Sequence, residues 1–159
     1  LIRQKVKQLV SMTGKFPSGS EFNVNRDVEA SQFVFDRWPT PVLLSGFEIG
    51  AKIKTGLPLI RNKAIQNSPV KNVFRICIPM SAEDTAGRMS WDETAVLVAV
   101  KGYKPWYKIE TGKMIVHSNG SNSWLDEPGA HAHLVEKQSP QIVQHLINTI
   151  MMHQPLKKN

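Results

Sequence analysis

Three short stretches carry side chains whose types and spacing could do chemistry. Ser20-Glu21-Phe22-Asn23 follows a loop punctuated by Gly14, Pro17 and Gly19. On an extended segment Glu21 and Asn23, two residues apart, share one face. A carboxylate beside a carboxamide offers acceptors and donors that suit the hydroxyls of a polyol such as a sugar. The same pair also serves as an ordinary polar cluster on a loop. Asp92 stands in the first turn of an apolar segment, where Glu93 can complete a helix cap and leave Asp92 free to face a cation. An acid at that position also answers the helix dipole alone. The third stretch, Ser81 to Arg88, is acidic and arginine-bearing; it could cover a site or lie as a solvated loop.

Other reactive residues are sparse. His131 and His133 flank Ala132, so a strand would turn both imidazoles to one side, but no third ligand lies nearby in sequence and surface histidines are the default. The single cysteine, Cys77, sits among Phe74, Ile76 and Ile78 and reads as a buried, inert thiol; alone it excludes an internal disulfide framework and a multi-cysteine metal site. No Gly-rich phosphate cradle and no G-x-S-x-G elbow occurs.

The elements that must position these groups alternate between short strands and helices, the pattern of an α/β layer. Val6 to Met12 reads as a strand that ends in the Thr13–Ser20 loop. Asp27 is placed to cap a helix that must stop before Pro39, because a residue preceding proline avoids helical geometry. Pro41 to Gly46 is a short apolar run, a buried strand, and Leu57-Pro58-Leu59-Ile60 opens a further helix. Ser68-Pro69 starts another, with Val70, Val73, Phe74 and Cys77 as one apolar stripe and Pro79 as its end. Ser90-Trp91-Asp92-Glu93 has capping-box form ahead of the apolar run Thr94 to Val100, which favours a helix there. Trp106 to Glu110 and Lys113 to His117 flank Thr111-Gly112 as a hairpin; Ser118 to Ser123 forms a loop and His131 to Val135 a strand. Ser139-Pro140 starts a last helix with Ile142, Val143, Leu146, Ile147 and Ile150 on one side.

At 159 residues the chain has the length of one ordinary domain, since domains commonly run to about 100–150 residues. With 41% apolar residues and four Trp it can bury a core. No apolar run nears the roughly 18 residues of a membrane span. The net charge of +7 suits either a polyanion partner or a solvated surface on a chain whose acidic part lies elsewhere. Basic residues cluster weakly, at Arg3-Lys5-Lys7, at Lys52 and Lys54, and at Lys157-Lys158. The one stretch that interleaves aromatics with basics, Lys101 to Lys108, alternates like a strand whose rings face a core. Leu1 stands where an initiating Met would, so a cut point is expected there, and the compartment, cytoplasmic or exported, is left open.

Order and spacing of these motifs point to one family. Glu21-Phe22-Asn23 followed by Asp27-Val28-Glu29-Ala30 resembles the E-F-N … D-P-E-A-A segment of inosine–uridine-preferring nucleoside hydrolases. Trp38 to Gly46 looks like the strand that the family places next. Trp91-Asp92-Glu93-Thr94-Ala95-Val96 is similar to its H-D-P-x-A-V element. The resemblance covers nearly the whole chain, from about Val6 to the last helix. It implies an α/β fold, the C-terminal part of a mixed, mainly parallel sheet flanked by helices. Residues 1–159 would then be the C-terminal portion of a single nucleoside hydrolase domain. It implies hydrolysis of the N-glycosidic bond of ribonucleosides to base and ribose by a complete parent, itself a homo-oligomer, with Ca²⁺ holding the ribose 2′- and 3′-hydroxyls and a water. By position, Glu21 and Asn23 would hold ribose hydroxyls, Phe22 would line the sugar pocket, and Asp92 would be a calcium ligand.

Two departures bear on the chemistry. Trp91 occupies the place where many members have a histidine, which suggests stacking on the base and leaves the leaving-group acid unassigned. Lys15 stands near where the family often has an asparagine. The implied partner is a small nucleoside, with neither nucleic acid nor membrane. The acidic cluster that would supply most calcium ligands and the general base has no counterpart here, so this chain alone is expected to bind Ca²⁺ weakly and cleave nothing. The same loss is expected to leave a sheet edge and helix faces uncovered. Two other functions stay open: a non-catalytic basic α/β module that binds nucleic acid, and a catalytically lapsed nucleoside or sugar binder.

Overall fold

A computed structural model describes residues 1–154. Six strands form one mixed sheet. Its parallel part is β1 (Leu9–Met12), β3 (Val42–Ser45) and β8 (His131–Glu136), with β3 in the centre. Its antiparallel part is β6 (Tyr107–Val116), β7 (Ser121–Leu125) and β2 (Ser18–Ser20), giving the order β1-β3-β8-β6-β7-β2. Two strand pairs are parallel and three antiparallel. The sheet is thus mixed and flanked by helices, but not mainly parallel as the sequence suggested.

The central strand explains the layering. All four residues of β3 are buried, Val42 and Leu44 toward one core and Leu43 toward another, as a strand covered on both faces requires. On the first side α3 (Val28–Arg37) closes a core of Phe16, Val24, Phe35, Val42, Leu44, Met114 and Val116. On the second, α7 (Trp91–Lys101) and α8 (Pro140–Met151) cover Leu43, Tyr107 and Leu134 with Leu97, Val98, Val143 and Ile147. Short helices α1 (Ile2–Lys5), α2 (Phe22–Arg26), α4 (Phe47–Gly50) and α5 (Leu57–Arg61) punctuate the connections. The two-residue strands β4 (Lys54–Thr55) and β5 (Arg88–Met89) pair beside them, and α6 (Pro69–Cys77) packs Phe74 onto Leu59, Ile65 and Ile78.

Local chemistry sets the helix starts. The Asp27 carboxylate accepts from Ala30 N–H at 2.9 Å and the Ser68 hydroxyl from Lys71 N–H at 3.2 Å, as expected of N-caps. Ser90 departs from its expected box: its hydroxyl pairs with the Thr55 hydroxyl at 2.6 Å, and α7 begins with no side-chain cap bond. The expected hairpin at Thr111-Gly112 does not form either. Residues 107–112 pair with β8 and 113–116 with β7, so β6 runs straight through, and the turn comes later, between Val116 and Ser121. A side chain at Gly112 would collide with the Leu125 carbonyl and the Trp124 ring, so this glycine marks a close approach of strands rather than a turn.

Further expectations shift in detail. Leu9 rather than Val6 opens the first strand, since Val6 ends α1. Tyr107 is buried and Trp106 and Tyr103 pack against the same core, so the rings between Lys101 and Lys108 do face inward, though the strand begins only at Tyr107. The α6 stripe is mostly open, with Val70 and Val73 exposed and Cys77 only half-buried. His131 and His133 are not surface groups: both are buried. Lys157 and Lys158 lie outside the described residues.

Some apolar surface stays open. Val96 and Val100 are 61% and 74% exposed, and with Leu97, Ile147, Ile150 and Met151 they line a groove of about 320 Å³ between α7 and α8. β1 forms one edge of the sheet. No helix among the described residues is long and apolar enough to cross a membrane.

Candidate functional site

The C-terminal ends of parallel strands in an open α/β sheet are where ligands commonly bind. Here β1 ends at Met12, and β3 is followed at once by Gly46 and Phe47. The N-terminus of α7 comes up beside them, because Gly50 lets α4 press against its first turn. A cleft of about 390 Å³ opens at this point, lined by Met12, Glu21, Phe22, Asn23, Phe47, Arg88, Trp91 and Asp92. All five residues singled out in the sequence, Glu21, Phe22, Asn23, Trp91 and Asp92, therefore border one concavity although they lie some seventy positions apart. The groove between α7 and α8 is smaller, and although Asp92, Glu93 and Lys101 border it, its walls are almost wholly apolar, without the converging polar groups that a specific small-molecule site needs.

Glu21 has a structural job that the sequence did not suggest. It does not lie on an extended segment facing a ligand with Asn23. It is the N-cap of α2 and 4% exposed. Its Oε1 accepts from Asn23 N–H at 2.8 Å, and its Oε2 accepts from Val24 and Gly14 N–H, each at 3.3 Å. Three of the roughly four acceptor positions of a carboxylate are thus taken by backbone, leaving one for a ligand hydroxyl. Glu21 in this way ties the Gly14 loop to α2. Asn23 is exposed; its Nδ2 donates to the Met12 carbonyl at 3.1 Å, and this fixes the amide with its oxygen free of protein partners among the described residues. Phe22 stands 72% exposed on the rim.

The opposite wall is aromatic. Trp91 Nε1–H donates to the Phe47 carbonyl at 3.0 Å, and the two ring centroids lie 5.3 Å apart at a tilt of 32°. With its only donor engaged, Trp91 presents a ring face and no proton. Asp92, next to it, is exposed and has no ion-pair partner among the described residues. Glu93 does not line the cleft; burial raises its carboxyl above the ordinary range, with nearby Asp92 adding to the effect and Arg88 opposing it.

Arg88, Phe47 and Met12 join the site without having been chosen as ligand contacts from sequence. Arg88 belongs to the Ser81–Arg88 loop that drew notice for its charges. Phe47 had a usable signal, its place directly after a fully buried strand. Arg88 Nη1 donates to Asp84 Oδ2 at 2.8 Å, and that bond with the neighbouring carboxylate holds the guanidinium above its ordinary pKa.

Both histidines have partners within the protein. His131 Nδ1 accepts from Met114 N–H at 3.1 Å, while His133 stacks on Phe16 at 4.5 Å and turns Nε2 to Glu110 at 3.3 Å. Among the described residues no group of three or more His, Cys, Asp or Glu is placed to hold a metal ion. No protein-family model matches the chain, and no curated protein matches it significantly.

Proposed function

We propose that this chain supplies one wall of a nucleoside-binding site in a protein that hydrolyses the N-glycosidic bond of ribonucleosides. The observation that carries the proposal is the meeting of Glu21-Phe22-Asn23 with Trp91-Asp92 on a single cleft beyond the ends of β1 and β3. Those are the segments whose order and spacing resemble nucleoside hydrolases.

Each side chain has a definable role. Asn23 Oδ1 and the remaining acceptor of Glu21 receive hydrogen bonds from sugar hydroxyls, and Phe22 packs its exposed ring on the sugar's apolar face. Trp91 and Phe47 offer a stacking surface to the base. Asp92 is an open anionic ligand at a helix start, suited to a hydroxyl or a hard cation.

Calcium takes 6–8 oxygen ligands. Asp92 is the one cleft carboxylate free of partners among the described residues, so these residues do not make up that set. Calcium belongs to the proposal only as an ion shared with ligands from outside this chain, where it would ease deprotonation of a bound water.

The test is base release and reducing-sugar formation by the complete protein with a panel of nucleosides, alongside Asn23→Ala. Cleavage with at least about a tenfold fall in kcat/KM for the variant, the loss of roughly one good hydrogen bond, is expected. Cleavage of no nucleoside, or an unaffected variant, would refute the assignment. A lapsed binder is the second reading, favoured by the engaged indole N–H of Trp91, which leaves that position without an acid. Nucleoside binding without base release would select it.

A further inference from the structure

We propose that the cleft selects a sugar bearing a phosphate, the ribose-phosphate part of a nucleotide, and that Arg88 and Lys15 recognise that group; this rests on the nucleoside reading of the same cleft. Arg88 lines the cleft with its guanidinium held by a buried carboxylate, and Lys15, whose backbone is held by a buried amide, places its ammonium against the Phe47 wall. Asp84, 1% exposed, grips Arg88 through Oδ2, while its Oδ1 has no hydrogen-bond partner. Guanidinium carries five donors. Among the described residues Asp84 is the only hydrogen-bond partner of the Arg88 side chain, which is 45% exposed and lines the cleft with donors to spare. A planar fork of that kind matches phosphate oxygens.

Lys15 is held from its backbone. Asn122, 2% exposed, accepts from Lys15 N–H at 2.9 Å and donates to the Lys15 carbonyl at 2.9 Å. The ammonium then lies 5.6 Å from the ring centroid of Phe47, a wall of the cleft. A neutral ribose is already served by Asn23, Glu21 and Asp92 and offers these two cations only neutral acceptors, whereas a phosphate offers charged ones.

Charge balance sets the kind of selectivity. The three carboxylates Glu21, Asp84 and Asp92 outnumber Arg88 and Lys15, with Glu93 close by, so no field draws anions from a distance. Discrimination must come from short, charge-assisted bonds.

The experiment is calorimetric titration of the complete protein with three probes: inorganic phosphate, ribose and ribose 5-phosphate. Ribose 5-phosphate should bind at least about tenfold tighter than ribose, the equivalent of one charge-assisted contact. That ratio should fall to about threefold or less in Lys15→Gln and in the double variant D84N/R88Q. The double change removes the buried carboxylate's charge together with its partner, so no buried ion is left unpaired; thermal melts confirm that each variant folds. Equal binding of ribose and ribose 5-phosphate, or a preference that survives both variants, overturns the proposal and leaves the nucleoside assignment intact. Phosphate binding without any sugar contribution supports the cations' role and sinks the nucleoside assignment. Binding of none of the three overturns both.

Discussion

Replacing Glu21 with alanine tests how the cleft is held together. The side chain receives three backbone N–H bonds, two of them from within α2 and one from Gly14 across the loop. Loss of an N-cap costs typically ~1 kcal/mol, within a range of about 0.5–2. Val24 is fully buried and Gly14 packs against Phe16, Met114 and Asn122, so water cannot simply replace the carboxylate at these two donors. A buried donor left without a partner costs about 1–3 kcal/mol. The bonds at 3.3 Å are long, which places them at the lower end. Together these effects come to ~2–4 kcal/mol. For a chain of this length each kcal/mol moves Tm by about 2–4 °C, so a fall of roughly 5–15 °C is expected. Urea titration followed by circular dichroism measures the free energy directly. Glu21→Gln should fall between wild type and alanine, because an amide oxygen can serve one side of the site while its NH₂ opposes the N–H donors on the other. A loss below about 0.5 kcal/mol for the alanine variant, the size of an ordinary surface substitution, would show that the carboxylate does not organise the loop.

Two further predictions concern the layers behind the cleft. Burial lowers the His131 pKa below its ordinary value of 6.5, so the imidazole is neutral in the folded protein and accepts from Met114 N–H, whereas the unfolded chain protonates near 6.5. The unfolded state therefore binds more protons below that pH, and the stability that His131 contributes is present above 6.5 and lost as pH falls toward the folded value. Urea midpoints of wild type and His131→Gln should converge as pH drops from 7.5 to 5, and a gap that is independent of pH would refute the role. Gly50→Ala should cost ~1–3 kcal/mol by overpacking, since a Cβ there meets the backbone of Trp91 and α7 must retreat; an unchanged melting temperature would contradict that packing.

Several elements were legible because local rules and tertiary demands agree on them. Asp27 and Ser68 cap their helices with hydroxyl or carboxylate oxygens at ordinary distances, and Pro140 opens α8. The apolar run of β3 is continuous because both its faces are covered. Gly112 misled for a physical reason: a Thr-Gly pair has the composition of a turn, but here the glycine is demanded by a strand passing close to its Cα. Ser90 was equally opaque, since its competing partner, Thr55, lies 35 positions away. The five residues singled out in the sequence line one cleft, but the capping role of Glu21 was not readable there. Its bond to Gly14 depends on how a loop folds back, which no periodicity records. The burial of His131 and His133 follows from β8 lying between β3 and β6, a pairing order that the chain does not announce locally.

The grip of Asn122 on Lys15 spans 107 positions of chain. Every side chain that lines the cleft occurs between Met12 and Asp92, yet the loop beside it is locked only when β7 has joined the sheet. Contacts between such distant segments form late, because the intervening chain must first be closed into a loop. Ligand affinity should accordingly recover among the last events of refolding, after the bulk of the secondary structure. A polypeptide ending before Asn122 would contain each cleft residue and still lack the cleft.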